Sequence, residues 1–105
     1  METDTETTEV IFRKFKQGGE IIALFPYEIC DNHGNCESYM IVGQHSAANY
    51  QLVIQNSWPV HDPFDYSDIK AELMGLGYRL KVQQKRNHSK WLKNYYKTQK
   101  EWKNQ

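Results

Sequence analysis

Glu20-Ile21-Ile22-Ala23-Leu24-Phe25, closed by Pro26, is the stretch on which the fold turns. It is apolar at odd and even positions alike. A strand sends alternate side chains to opposite faces, so one of this composition must be covered above and below. That places it centrally in a sheet, with Pro26 ending it. The run is also far too short to cross a bilayer. Upstream, Val10-Ile11-Phe12 and Phe15 read as a strand whose alternation is broken by Arg13 and Lys14, as at a sheet edge. Between the two strands, Gln17-Gly18-Gly19-Glu20 supplies the positive φ of a tight hairpin.

Working outward, the polar tip Asp31-Asn32-His33-Gly34-Asn35 predicts a loop, and Ser38-Tyr39-Met40-Ile41-Val42, closed by Gly43, a third strand. Ser46 is placed to cap a helix over 47–55, in which Ala47, Tyr50, Val53 and Ile54 share a face. Asp62 before Pro63 suits a second helix start. Tyr66, Ile69, Leu73 and Leu76 then make one apolar stripe that ends at Gly77. Tyr78-Arg79-Leu80-Lys81-Val82-Gln83 alternates with period two and predicts a strand joining the meander. The expected fold is α+β. It has an antiparallel sheet of three to four strands in the order β-β-β-α-α-β-α, helices on one face, and a basic amphipathic C-terminal helix. The expected divisions are a disordered acidic terminus (1–8), an α+β domain (9–83) and the basic helix (84–105).

At 105 residues the chain suits one domain, and with 39% apolar and 13% aromatic residues it can offset the entropy of ordering a core. Met1 to Glu9 is acidic and Thr-rich, unlike a secretory leader, and only Cys30 and Cys36 occur, so a reducing, cytoplasmic setting is expected. The formal charge is zero, but it is unevenly spread. Residues 1–78 hold four basic residues against twelve acids, and residues 79–105 hold nine against Glu101 alone. Such asymmetry points to nucleic acid or another acidic surface as partner, or to a basic tail lying on its own acidic body.

Val10-Ile11-Phe12-Arg13-Lys14-Phe15 and Ile21-Ile22-Ala23-Leu24-Phe25-Pro26 form a pattern with Ser38-Tyr39-Met40-Ile41-Val42-Gly43-Gln44-His45 and Leu76-Gly77-Tyr78-Arg79-Leu80-Lys81-Val82. Together they resemble a group of short uncharacterised bacterial proteins met in phage, plasmid and gut-bacterial genomes. The resemblance covers residues 10 to 82. It implies a bacterial or mobile-element origin and an α+β domain, and it carries no activity.

Three places hold candidate chemistry. Cys30-x2-His33-x2-Cys36 with His45 has zinc's preferred ligand types, but zinc knuckles put two residues between paired cysteines, not five. Free thiols, a turn histidine and a junction histidine explain the same residues, so no metal or other cofactor is assigned. A thiol nucleophile at Cys36 or Cys30 with His45 lacks a third, orienting group, and the enzyme reading is declined. Gly18-Gly19 and Gly75-x-Gly77 lack the frames of phosphate and dinucleotide loops. Asp62, Asp65 and Asp68 suit a helix start.

The third place is the tail. On a helix, Trp91, Tyr95 and Trp102 fall within about 40° of one another, and Lys90, Lys93, Lys97 and Lys100 lie opposite. The aromatic stripe either docks on the domain or serves as an interface, including one for self-association. The lysines, with Arg86, are either a solvated face or phosphate contacts. A membrane role fits poorly, because the apolar face has one leucine. Trp58, in the loop Trp58-Pro59-Val60-His61, reads either as a plug over the core or as a recognition residue, and the plug is the favoured reading. The expected function is therefore a non-enzymatic interaction module, in its specific form nucleic-acid binding through the tail. The rival is a metal- or thiol-dependent protein built on Cys30, His33, Cys36 and His45.

Overall fold

The structure, a computed structural model, describes residues 7–41 and 44–103. In chain order it comprises β1 (Thr8–Phe15), β2 (Ile21–Ile29), β3 (Cys36–Met40), β4 (Gln44–Ala48), α1 (Tyr50–Gln55) and β5 (Ser57–Pro59). A 3-10 turn (Pro63–Tyr66), α2 (Ser67–Gly75), β6 (Leu80–Val82) and α3 (His88–Lys103) follow. The class is α+β, as expected. The sheet is larger than expected and mixed, in the order β4-β3-β2-β1-β5 with β6 also on β1.

The hairpin of β1 and β2 forms where the paired glycines allow it, Gly18 and Gly19 having φ of 83° and 71°. Thr8 already belongs to β1, so the boundary at residue 8 shifts inward. Residues 1–6 of the predicted disordered segment, like Val42 and Gly43 at the end of the third strand, lie outside the described residues. Pro26 does not end β2. The strand continues to Ile29, and the ladder absorbs the missing N–H by a register jump in which Phe25 faces Glu37 but Ile29 faces Cys36.

The predicted helix start at Ser46 is also corrected. Residues 44–48 pair antiparallel with β3, Ser38 opposite Ser46, and the helix begins only at Tyr50. Asn49 caps it, its Oδ1 accepting from Leu52 N at 3.1 Å. Asp62 caps as expected, Oδ1 accepting from Phe64 N at 2.9 Å, although the turn it opens is 3-10 before α2 proper.

β6 runs parallel to β1, with Thr8 opposite Leu80 and Val10 opposite Val82, and is not a further arm of the meander. A parallel neighbour needs a crossover, and α2 lies in it. Thr8 N donates to Arg79 O at 2.7 Å, Gln83 N to Val10 O at 2.8 Å and Lys16 N to Asn56 O at 2.9 Å. These residues have the same parity, so β6 and β5 divide one edge of β1 between them.

Helices cover both faces, which overturns the expectation of one. Val10, Phe12, Ala23, Phe25 and Tyr39 pack with Tyr66, Ile69 and Leu73 beneath α2. Ile11, Ile22, Leu24 and Cys36 pack with Tyr50 of α1 and Trp91 of α3 on the other side. The two-sided apolar pattern of residues 21–25 demands this arrangement: a single helical layer would leave Ile22 and Leu24 in water.

Candidate functional site

Arg13 interrupts the apolar run of β1, and its side chain lies on the α1–α3 side of the sheet with Ile11. It is 7% exposed. Its Nε donates to Ser57 Oγ at 2.9 Å, and its Nη2 donates to Ile54 O at 3.0 Å and Ser57 O at 2.9 Å. The Ser57 hydroxyl in turn donates to Val53 O. Every one of these acceptors is neutral. Among the described residues no carboxylate pairs with Arg13, and none accepts from Nη1. Burial lowers the pKa of this guanidinium, with Tyr50 opposing and nearby Arg86 adding to the lowering. An arginine stays charged regardless, so β1 holds a fixed, uncompensated cation.

That cation forms the wall between two surface depressions. The larger, about 690 Å³, lies between α1, β5 and the start of α3, and includes Lys16, Trp58, Arg86 and His88. The smaller, about 320 Å³, shares Arg13, Pro59 and Arg86 and adds His61 and Lys85. Among the described residues, no acidic side chain lines either one. Trp58 is 57% exposed, so it is not the expected plug; Val60 beside it turns inward instead. β5 holds Trp58 opposite Lys14, and Lys16 Nζ lies 4.4 Å from the centroid of the indole. Sequence reading missed Arg13, Lys16 and Trp58 as a site. The available signal was an arginine at an inward position of an apolar strand.

The C-terminal helix is part of the fold. Trp91 is 5% exposed and stacks on Tyr50 at 4.9 Å between ring centroids and on Tyr95 at 5.3 Å. Asn94 Nδ2 donates to Tyr27 O at 3.1 Å. Trp91, predicted as an interface aromatic, thus sits in the core on this side of the sheet, and Tyr95 packs half-buried against it. The Trp102 side chain lies outside the described residues.

Of the predicted phosphate-binding cations, Lys90 is engaged internally. Its Nζ pairs with Glu9 Oε2 at 2.7 Å and sits 4.4 Å from the Tyr27 ring centroid. Burial pushes the Glu9 carboxyl up, but hydrogen bonds from Lys90 and Gln83 and the charges of Lys90 and Lys81 outweigh it and hold the carboxyl below its ordinary value. The same hydrogen bond raises Lys90. Lys93, Lys97, Lys100 and Arg86 are exposed. The basic tail thus docks by its rings and by the single Lys90–Glu9 pair, while Lys93, Lys97 and Lys100 stay in solvent. The acids Asp65, Asp68 and Glu72 sit with α2 on the opposite side of the sheet.

The cysteine–histidine set does not converge. Cys36 pairs with Ala48 and sits in the α3-side core, whereas His45 pairs with Tyr39 and projects to the other side. There its Nε2 lies 3.0 Å from Tyr78 Oη. His33 is exposed in a turn, its backbone N donating to Asp31 Oδ1 at 2.9 Å. Burial, with the charge of Cys30, pushes the Cys36 thiol up to about 12. Burial and the carboxylates of Asp31 and Glu37 raise Cys30. Both cysteines are free, neither is an activated thiolate, and no group of three potential metal ligands occurs among the described residues. Nor is any described helix long and apolar enough to cross a membrane. Compared with family models, curated proteins and solved structures, the chain matches none.

Proposed function

We propose that this protein is a non-enzymatic nucleic-acid-binding module. Its contact surface is the cationic groove of Arg13, Lys16, Lys85 and Arg86, extended by Lys93, Lys97 and Lys100 of α3. The observation that carries the reading is that, among the described residues, no acid lines a groove built around a buried arginine whose hydrogen-bond acceptors are all neutral. Phosphates are the acceptors such a surface lacks, and each contact would release counterions from the nucleic acid. Lys90, first grouped with the contacts, is excluded because Glu9 holds it. The bacterial mobile-element origin and the cytoplasmic setting remain part of the proposal, since free thiols suit a reducing compartment.

The test is titration of labelled DNA and RNA oligonucleotides at rising salt. With about four phosphate contacts, affinity should fall by roughly 50-fold for a single strand, or about 150-fold for a duplex, between 50 and 200 mM salt. Replacing Arg86, Lys93, Lys97 and Lys100 with glutamine should weaken binding at least tenfold and flatten the salt slope. No binding at low ionic strength to single strands or duplexes ends the proposal. An acidic protein surface would then be the remaining partner class.

A further inference from the structure

The geometry points to single-stranded nucleic acid as the ligand of the groove, with Trp58 as a platform for one base and Arg13 with Arg86 as the receptor for a neighbouring phosphate. This rests on the nucleic-acid reading above and narrows it.

Phosphate contacts alone do not distinguish a duplex from a single strand. The indole does. In a duplex the faces of the bases are stacked on one another and a surface ring has nothing to cover. In a single strand each base offers a free π-face, and stacking on an aromatic side chain is worth a large part of the affinity. Trp58 is more than half exposed, yet it is held on both sides along the chain: Ser57 is buried beneath Arg13, and β5 is paired with β1. The ring therefore sits on a short fixed strand and not on a mobile loop, so little ordering cost attends stacking. Lys16 Nζ lies over one face of the indole, so a base takes the opposite face or displaces this flexible ammonium, and the charge stays beside the stacked base.

Arg13 supplies the second half. Its Nε and Nη2 are committed to Ser57 and Ile54, which lock the guanidinium plane, and Nη1 has no acceptor among the described residues. A cation fixed in a partly dry setting attracts a phosphate more strongly than a solvated lysine does. Arg86 lines both depressions together with Arg13, so two guanidinium groups border the same groove. Gln51 and Gln55 are the uncharged polar groups on the α1 side. With so few neutral donors and acceptors, recognition should be tolerant of sequence.

The experiment uses the full chain and three fluorescein-labelled 12-mers of mixed sequence: single-stranded DNA, single-stranded RNA and the DNA duplex, at low salt. The single strands should bind at least tenfold more tightly than the duplex; the DNA and RNA arms identify the natural backbone, and either meets the proposal. Trp58→Ala should cost the single strand about 5- to 150-fold and the duplex less than twofold. Quenching of tryptophan emission on binding should vanish in Trp58→Phe, which separates Trp58 from the other two indoles. Arg86→Gln, at an exposed position, should weaken all arms while circular dichroism stays unchanged. A duplex bound as tightly as the single strand, or an unaltered single-strand affinity in folded Trp58→Ala, overturns the inference and leaves the broader reading standing. Failure of every probe removes both.

Discussion

Arg13 shows how much a single side chain constrains its neighbours. Taking a guanidinium out of water is costly, and here two carbonyls and one hydroxyl provide the compensation that a carboxylate would ordinarily give. Ser57→Ala removes the acceptor of Nε and should destabilise the protein by about 1–3 kcal/mol in urea unfolding, more than a surface Ser→Ala would. Gly34 is constrained differently. Its φ is 82°, and a methyl group there would run into the ring of Tyr95. Gly34→Ala should lower stability by about 1–3 kcal/mol and loosen α3, seen as faster amide exchange in that helix. The thiols give a third check. With Cys36 buried and pushed up to about 12, and Cys30 raised, a disulfide reagent at neutral pH should modify Cys30 slowly and Cys36 only on unfolding.

Among the elements, α3 is held by an apolar stack and an ionic latch, and the two respond to different conditions. Trp91→Ala empties the space against Tyr50 and should cost about 3–5 kcal/mol. The latch depends on pH. Glu9 lies below its ordinary value of 4.5, so its contribution is full above that value and disappears as pH falls through the lower folded value. Lys90 is raised above 10.5, so its contribution is full below that value and disappears as pH rises through the folded one. Glu9→Gln should lower the thermal midpoint by a few degrees between those limits, and by progressively less as pH falls below 4.5. Because the lysine is half in solvent, a larger effect would mean that Glu9 does more than hold Lys90.

The same elements show what was legible in advance. Asp62-Pro63 and Gly18-Gly19 act through bonds to their immediate neighbours, and their roles could be read directly. Ser46-Ala47-Ala48 has helical composition, but pairing with β3 overrides it, and that partner is remote information. The parallel pairing of β6 and the inward turn of Arg13 toward Ser57, 44 residues away, were hidden for the same reason. The lysine stripe was legible; that Glu9 takes one member was not.

For the molecule as a whole, docking of α3 turns the proposed division at residue 83 into a seam within one core. Ending the chain after Gln83 should expose Ile22, Leu24, Cys36 and Tyr50 and abolish the cooperative thermal transition, with aggregation seen in gel filtration. A chain that still melted cooperatively without α3 would restore the two-part picture. The charges remain unevenly placed after folding: Asp65, Asp68 and Glu72 sit with α2 on one side of the sheet, and Lys93, Lys97 and Lys100 on α3 at the other. The molecule should therefore approach a polyanion in a preferred orientation, and more slowly as salt rises.

The placement of the first hairpin has a consequence for biosynthesis. β1 and β2 leave the ribosome early, yet one flank of their ladder waits for residues near 80 and one face for the rings beyond 90. Until β6 and α3 clear the exit tunnel, the most apolar segment has no lasting cover, and a nascent-chain chaperone would find its target there.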